Sequence, residues 1–240
     1  MNIFTFTKLG RALLLAGVVA VSAVCWAGCG GDGGGNDNPA DNSSNNSSNN
    51  NSNGGNNTVG NNTCTSGGSC KSKEMPDGKK WLTENLNVET AGSWCYRDSN
   101  SYCNKYGRLY TWEDAKSACQ SVGMRLPTNA EWNALVTVAG GSSTSGKKLK
   151  STNGWYNNGN GTDDYGFSAK PGGEGGGVGS DEFSVGFFDE NAGNRGYWWT
   201  ATEGRSDDAA YDRYMYYNYD SVNEGLSSKL MGYSVRCVQD

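Results

Sequence analysis

The segment TWEDAKSACQSVGMRLPTNAEWNALV (residues 111–136) constrains the fold more than any other part of this chain, because it predicts two short capped helices in succession. In the first helix, apolar residues recur at spacings of three, four and three, at Trp112, Ala115, Cys119 and Val122. Thr111 is the predicted N-cap and Gly123 the predicted stop. Cys119 should therefore face a core.

The second helix begins after Pro127, where Thr128 and Glu131 have the spacing of a capping box. Its apolar stripe consists of Trp132, Leu135, Val136 and Ala139. Both helices are short, so their stability must come from packing against other elements.

The first quarter of the chain cannot contribute to a core. Residues 1–28 combine Lys8 and Arg11 with an apolar run, which is typical of a signal peptide. Residues 29–62 are almost entirely Gly, Asn, Ser and Asp, a composition that predicts a disordered tether. A flexible tether of this length spans about 30 Å on average, and about 110 Å when pulled straight. Residues 63–240 are predicted to form one folded domain.

The sequence Trp26-Ala27-Gly28-Cys29 resembles a bacterial lipobox, which predicts lipid attachment at Cys29. Lipidation at Cys25, or plain cleavage to a soluble protein, is the alternative. Two or more acyl chains would anchor the protein firmly to a membrane. We therefore expect an exported protein, lipid-anchored at the bacterial outer membrane or cell surface.

Charge and histidine content narrow the function. The net charge of −5 makes nucleic acid an unsuitable partner. The chain has no histidine, and so it lacks the usual acid or base at neutral pH and the commonest ligand of transition metals.

Six further cysteines predict disulfides in an oxidising compartment: Cys64, Cys70, Cys95, Cys103, Cys119 and Cys237. Local loops favour Cys64 with Cys70 and Cys95 with Cys103, leaving Cys119 with Cys237, although six cysteines allow about 15 pairings. A metal site is the competing interpretation, and the chain contains no C-x-x-C pair to support it.

Strand patterns lie on either side of the two helices. Residues 81–86 alternate well enough for a first strand, and residues 197–202, 211–219 and 232–238 predict three more. Between them, residues 140–196 are rich in Gly, Asn, Ser and Asp and predict a long ordered loop. The fold class is α+β: two short helices packed beside a small antiparallel sheet that the terminal strand closes.

Six blocks in this order resemble the Fibrobacter succinogenes major paralogous domain from about residue 73 onward: GSWCY (92–96), YGRLYTW (106–112), RLPTNAEW (125–132), GTDDYGFSA (161–169), YWWTATE (197–203) and SVRCV (234–238). More distantly, RLPTNAEW and SVRCV are similar to the formylglycine-generating enzyme superfamily. The resemblance implies a variant of the C-type lectin-like fold and an exported, often lipid-anchored bacterial surface protein.

The same resemblance implies where chemistry would lie. Formylglycine-generating enzymes use two nearby cysteines before the final strand, but no cysteine occurs between Trp199 and Val235. Calcium-dependent lectins use Glu-Pro-Asn, Gln-Pro-Asp and Trp-Asn-Asp tripeptides, and this chain has none of them. We expect no catalytic residues of the formylglycine-generating type and no such sugar site, and we interpret Trp198 and Trp199 as mostly core.

Two candidate sites remain. Acidic and amide residues of the long loop could hold a structural Ca²⁺, with solvated turn residues as the alternative: Asp163, Asp164, Asp181, Glu182, Asp189 and Asn191. A segment rich in Tyr, Asp and Asn has the composition of a recognition surface, with sheet core as its alternative: Asp207, Asp208, Tyr211, Arg213, Tyr214, Tyr216, Asn218 and Asp220.

These observations predict a non-catalytic surface module for binding or adhesion, with an extracellular glycan or protein as its ligand. The alternatives are an enzyme of the formylglycine-generating superfamily with an unrecognised active site, and a structural envelope lipoprotein.

Overall fold

The structure, a computed structural model, describes residues 64, 70–176 and 192–240. This part of the chain has a mixed α/β fold with four short α-helices, two 3₁₀ helices (Tyr96–Asp98 and Tyr156–Asn158) and three small antiparallel sheets. The strands are β1 (Ser72–Glu74), β2 (Lys80–Leu82), β3 (Ser93–Trp94), β4 (Leu109–Tyr110), β5 (Arg195–Glu203), β6 (Ala209–Tyr216), β7 (Asn223–Ser228) and β8 (Val238–Gln239). The helices are α1 (Asn100–Tyr106), α2 (Trp112–Ser121), α3 (Asn129–Val138) and α4 (Ser145–Leu149).

The two predicted helices are confirmed as α2 and α3. The Thr111 hydroxyl caps α2 by accepting from the backbone N–H of Asp114. At α3, Thr128 and Glu131 form the predicted capping box. These caps satisfy backbone donors that a helix start leaves without an intrahelical partner, and they fix where each helix begins.

The largest sheet has the order β5-β6-β7, with Arg195 opposite Tyr216 and Trp199 opposite Asp212. Alternate residues of β5 enter two separate cores because successive side chains of a strand point to opposite faces. Tyr197 and Trp199 pack in the cluster that contains α2 residues, whereas Trp198 packs with Trp132 and Leu135 of α3. Trp198 and Trp199 are fully buried, as expected.

Asn85 and Arg236 connect the separate parts of the fold. Arg236 is fully buried and donates to Asn85 Oδ1, Leu82 O, Phe167 O and Ser168 O. Asn85 also accepts from Trp198 Nε1 at 3.0 Å and donates to Tyr106 O at 2.8 Å. Burial lowers the pKa of Arg236 to about 9. The four hydrogen-bond acceptors replace the water molecules that the guanidinium loses on burial.

Three disulfides join Cys64 to Cys70, Cys95 to Cys103 and Cys119 to Cys237. This is the connectivity that the local loops favour. The last bond spans 118 residues and fixes α2 to the C-terminal segment.

The predicted sheet needs correction. The terminal strand β8 pairs with β2, and the third member of the large sheet is β7. The predicted strand at residues 232–238 reaches the large sheet at Ser234, which forms a parallel and not an antiparallel bridge with Trp198 of β5. Sequence patterning missed β7 because NEGLSS contains one large apolar residue, Leu226, and that side chain is exposed. It also missed α1 and α4, which are short and polar.

Several predictions fall outside the described residues. They are the signal peptide, the tether, lipid attachment at Cys29 and the loop residues Asp181, Glu182, Asp189 and Asn191. In the described part of the chain, no helix is long and apolar enough to cross a membrane.

Candidate functional site

The predicted recognition residues lie at opposite ends of β6. Asp207 and Asp208 are exposed in the connection that precedes the strand, whereas Asn218 and Asp220 are exposed in the connection that follows it. These four side chains therefore do not form one site.

Along β6 itself, alternation separates the candidates. Arg213 is buried, and its Nη2 donates to Asn133 Oδ1 at 2.7 Å and to Glu224 Oε2 at 2.8 Å. It joins β6 to α3 and β7, and because it is buried a ligand cannot reach it. Tyr211, Tyr214 and Tyr216 are half-buried, so the strand supplies both core and surface.

The connection from β6 to β7 carries two adjacent surface depressions, which we call the turn groove. The first has a volume of about 260 Å³ and is lined by Asn194, Arg195, Tyr216, Tyr217, Asn218 and Tyr219. The second has a volume of about 340 Å³ and is lined by Lys147, Asn157, Asn158, Gly159, Asn160, Tyr217, Asn218, Tyr219 and Asp220. Tyr217, Asn218 and Tyr219 line both depressions and so form their common border, which we call the ridge. Volumes of this order suit small ligands or single units of a larger one.

A buried lysine holds the ridge in place. Lys150 is 1 % exposed, and its Nζ donates to Tyr219 O at 2.6 Å, with longer contacts to Gly159 O and Tyr217 O. It thus joins the ridge to the opposite wall of the second depression. Burial lowers the pKa of Lys150 to about 8, with Lys147 adding to this effect and Asp220 opposing it.

The backbones of the two walls of the groove lie very close together at Gly159 and Tyr217. A Cβ on Gly159 would lie 2.2 Å from Tyr217 O, so only glycine permits this contact between the two walls. The neighbouring Asn157 and Asn158 have φ values of 47° and 61°, in the left-handed region that asparagine tolerates better than most residues. The Asn-Gly composition of this loop is therefore a requirement of its shape.

The groove presents free polar and aromatic groups. The side chains of Asn157, Asn158 and Asn218 make no hydrogen bond within the described residues. Tyr219 is 56 % exposed, and Tyr156, whose ring packs against Tyr217 at 5.5 Å, is 61 % exposed. Amides that can donate and accept, beside exposed rings, are suited to a ligand rich in hydroxyl groups.

A second polar cluster lies on strands β6 and β7, around Asp212. Asp212 is 1 % exposed and accepts from Ser227 Oγ at 2.8 Å, and Ser227 Oγ in turn accepts from the Tyr233 hydroxyl at 2.9 Å. Burial raises the pKa of Asp212 to about 6, and Glu174 adds to this effect. A Cβ on Gly225, the residue opposite Asp212 on β7, would lie 2.5 Å from its Oδ1. Glycine at 225 therefore makes room for the carboxyl group.

Another cavity is too small to bind a ligand. It lies beside Cys64 and Cys103 and contains Lys71, Lys105 and Lys170, but its volume of about 20 Å³ has room for one water molecule.

The calcium hypothesis has limited support in the described part of the chain. Asp163 accepts from the backbone N–H of Ser168 at 2.7 Å and from the Ser168 hydroxyl, which fixes the turn that precedes Phe167. Within the described residues, no group of three or more His, Cys, Asp or Glu side chains could hold a metal ion. The predicted ligands at 181–191 lie outside those residues.

A family model, the Fibrobacter succinogenes major domain (Fib_succ_major), matches residues 42–239. The chain belongs to this family. The match begins inside the segment predicted as a tether. Searches of curated proteins and of solved structures give no match to this chain.

Two of the blocks that suggested the Fibrobacter succinogenes major domain, RLPTNAEW and SVRCV, contribute buried and cross-linked residues to its scaffold. In RLPTNAEW, Arg125 forms a two-point ion pair with Glu131, and Trp132 is fully buried. In SVRCV, Arg236 makes the hydrogen bonds described above and Cys237 forms a disulfide. None of the lining residues of the turn groove falls in these two blocks.

Sequence reasoning identified Tyr216, Asn218 and Asp220 of the groove and missed the rest. The loop Asn157-Asn158-Gly159-Asn160 carried a signal, since repeated Asn and Gly in an ordered domain indicate a loop with unusual backbone angles. Lys150 gave no such signal, because nothing in the adjacent sequence predicts that this lysine is buried.

Proposed function

We propose that this Fibrobacter succinogenes major domain protein is a non-catalytic binding module, displayed on the bacterial surface, that recognises a glycan or protein ligand through the turn groove. The observation that carries the proposal is the pair of depressions that share the exposed Tyr219 and are lined by Asn157, Asn158 and Asn218, whose amides make no hydrogen bond within the described residues. The sequence signals for export, lipidation and a long tether support display at a membrane.

The cysteines support binding over oxidase chemistry. All six cysteines of the described residues are in disulfides, so a mechanism that needs thiolates would lack its nucleophile there. We also propose that the fold is a C-type lectin-like variant, on the basis of α2 being bonded through Cys119 to the C-terminal segment and of the resemblance in RLPTNAEW and SVRCV.

A binding screen tests the proposal. The full chain, purified in detergent, is applied to glycan and extracellular-protein arrays with and without Ca²⁺, beside the Tyr219→Ala variant. Tyr219 is exposed, so its loss should remove ligand contacts while the melting temperature stays near that of the wild type.

A matched pair of variants serves as the control. Asp220→Ala changes an exposed acid beside the groove, and Asp208→Ala changes an exposed acid at the other end of β6. We expect the first to alter binding and the second to leave it unchanged. Equal binding by all variants, or no specific binding under either condition, would overturn the proposal.

Membrane attachment has its own test. Labelling of cells with a radioactive fatty acid should mark the wild type, and Cys29→Ser should abolish the label. Retention of the label in Cys29→Ser, with loss in Cys25→Ser, would move the attachment site to Cys25.

A further inference from the structure

We propose that the ligand of the turn groove is an uncharged polysaccharide chain that occupies both depressions at once, with neighbouring sugar units on either side of the ridge. This inference rests on the proposed function and gives its ligand a chemical class. It is carried by the shape of the groove, by its side-chain chemistry and by its charge.

The shape favours a chain of linked units. The two depressions have volumes of about 260 and 340 Å³ and share the ridge residues Tyr217, Asn218 and Tyr219. A ligand held in one depression would contact one side of the ridge only. A chain of similar units, crossing the ridge, would use both sides and all three shared residues.

The side chains suit sugars. A pyranose ring has an apolar face of C–H groups that packs on an aromatic ring, and hydroxyl groups that donate and accept hydrogen bonds. Tyr216 and Tyr219, whose ring centroids lie 6.2 Å apart, supply aromatic surface in the first depression. The amides of Asn157 and Asn158, which make no hydrogen bond to any residue that the structure describes, supply paired donors and acceptors in the second.

The charges favour an uncharged ligand. The two cations of the groove are partly engaged: Lys147 Nζ donates to the neutral Asn160 O at 2.9 Å, and the Arg195 guanidinium lies 5.0 Å from the centre of the Tyr216 ring. Asp220 adds a negative charge, and the net charge of −5 repels polyanions. A sulfated or uronic-acid polymer would have to displace these contacts and approach Asp220 on a protein of net negative charge, whereas a neutral chain would not.

The size of the groove disfavours a folded protein as the ligand. Specific protein interfaces commonly bury about 800 Å² on each partner around an apolar centre. The centre of this groove is the polar Asn218, bordered by two tyrosines. A protein ligand is retained as an outcome of the test.

Calorimetric titration of the full chain tests the inference. The probes are neutral gluco-, manno- and xylo-oligosaccharides, each as mono-, di- and tetrasaccharide, with a tetragalacturonate as the charged counterpart. We expect at least one neutral series to bind, with affinity rising about tenfold or more from monosaccharide to tetrasaccharide as the second depression is filled. Because no ion pairs form, that affinity should change less than about twofold between low and physiological salt.

Variants in each depression test whether both depressions contact the ligand. Asn158→Gly deletes an amide of the second depression and keeps a residue that accepts positive φ, and Tyr216→Ala deletes the ring of the first. Each should lower tetrasaccharide affinity about tenfold. Tyr216→Phe, which keeps the ring, should bind nearly as the wild type, and thermal melts identify any variant that fails to fold. Leu230→Ala, at an exposed position away from the groove, is the control.

The outcomes separate the two proposals. A monosaccharide that binds as tightly as the tetrasaccharide, or a preference for tetragalacturonate, overturns the inference. So does failure of every neutral series to bind, or a groove-dependent protein ligand from the arrays, and in the last case the proposed function survives. If a ligand binds and no groove variant weakens it, the proposed function fails as well.

Discussion

Arg236 Nε donates a 2.9 Å hydrogen bond to Asn85 Oδ1, and both side chains are buried. Through their other bonds the two residues connect the segment after β2, the loop at Phe167, strand β5 and the end of the chain. The scaffold is thus organised around a polar centre that lies between separate elements.

Replacing Arg236 should destabilise the domain. Arg236→Lys leaves buried carbonyl and amide oxygens without donors, and we expect a loss of about 2–4 kcal/mol in the free energy of unfolding. Urea denaturation measures it, with the exposed Arg97→Lys as the matched control. A loss no larger than that of the control would contradict the role assigned to Arg236.

Glu131 should make stability depend on acid pH. Its hydrogen bonds with Arg125 are the main cause that lowers its pKa to about 2 from 4.5. Its contribution is present above about pH 4.5 and is lost as the pH falls through about 2. Glu131→Gln should therefore narrow the difference in unfolding free energy between pH 5 and pH 2.5. Glu89→Gln, which changes an exposed partner of Arg108, should leave that difference intact.

Asp212 should make the free energy of unfolding fall as the pH rises, the opposite of the effect of Glu131. Its raised pKa, about 6 against 3.8, means that the folded state holds a proton that the unfolded state releases. Stability from this group is full below about pH 3.8 and is lost as the pH rises through about 6. Asp212→Asn should remove that loss and raise stability at pH 7. Infrared spectroscopy supplies a second readout, since the wild type should keep a protonated carboxyl band at pH 5 that the variant lacks.

Lys150 should control the shape of the ridge. Its pKa of about 8 means that deprotonation leaves two N–H donors for three carbonyl groups as the pH rises through 8. NMR signals of the backbone amides of residues 217–220 should titrate with that midpoint. In Lys150→Met the titration should vanish, and hydrogen exchange should accelerate at Val222, whose N–H donates to Ser142 O just beyond the ridge. An unchanged midpoint in Lys150→Met would assign the titration to another group.

The sequence predicts those parts of the fold that depend on interactions between residues close together in the chain. The caps of α2 and α3 need only Thr111, Asp114, Thr128 and Glu131, all within one turn of the helix start. The strand at Tyr197 is recognisable from its run of aromatic residues. In each case a few adjacent residues contain the physical cause.

The remaining features depend on partners far away in sequence. Strand β8 could pair with several edges, and its choice of β2 is made by the tertiary fold. Lys150 and Asp212 are ordinary polar residues until distant segments bury them. Most of the candidate site was missed for this reason, because the walls of the turn groove come from residues about 60 positions apart that Lys150 joins.

The unpaired side chains of the turn groove also affect how such a protein could diversify. Because Asn218 forms no side-chain hydrogen bond with the described scaffold, exchanging it would leave Asn85, Arg236 and the Cys119–Cys237 bond undisturbed. At Asn157 and Asn158 the exchange is limited to residues that tolerate a positive φ. Gene copies could therefore acquire new specificities by changing a few loop positions, without a compensating change elsewhere. Replacing Asn218 while keeping Gly159 and the buried Trp155 is the engineering equivalent of that route.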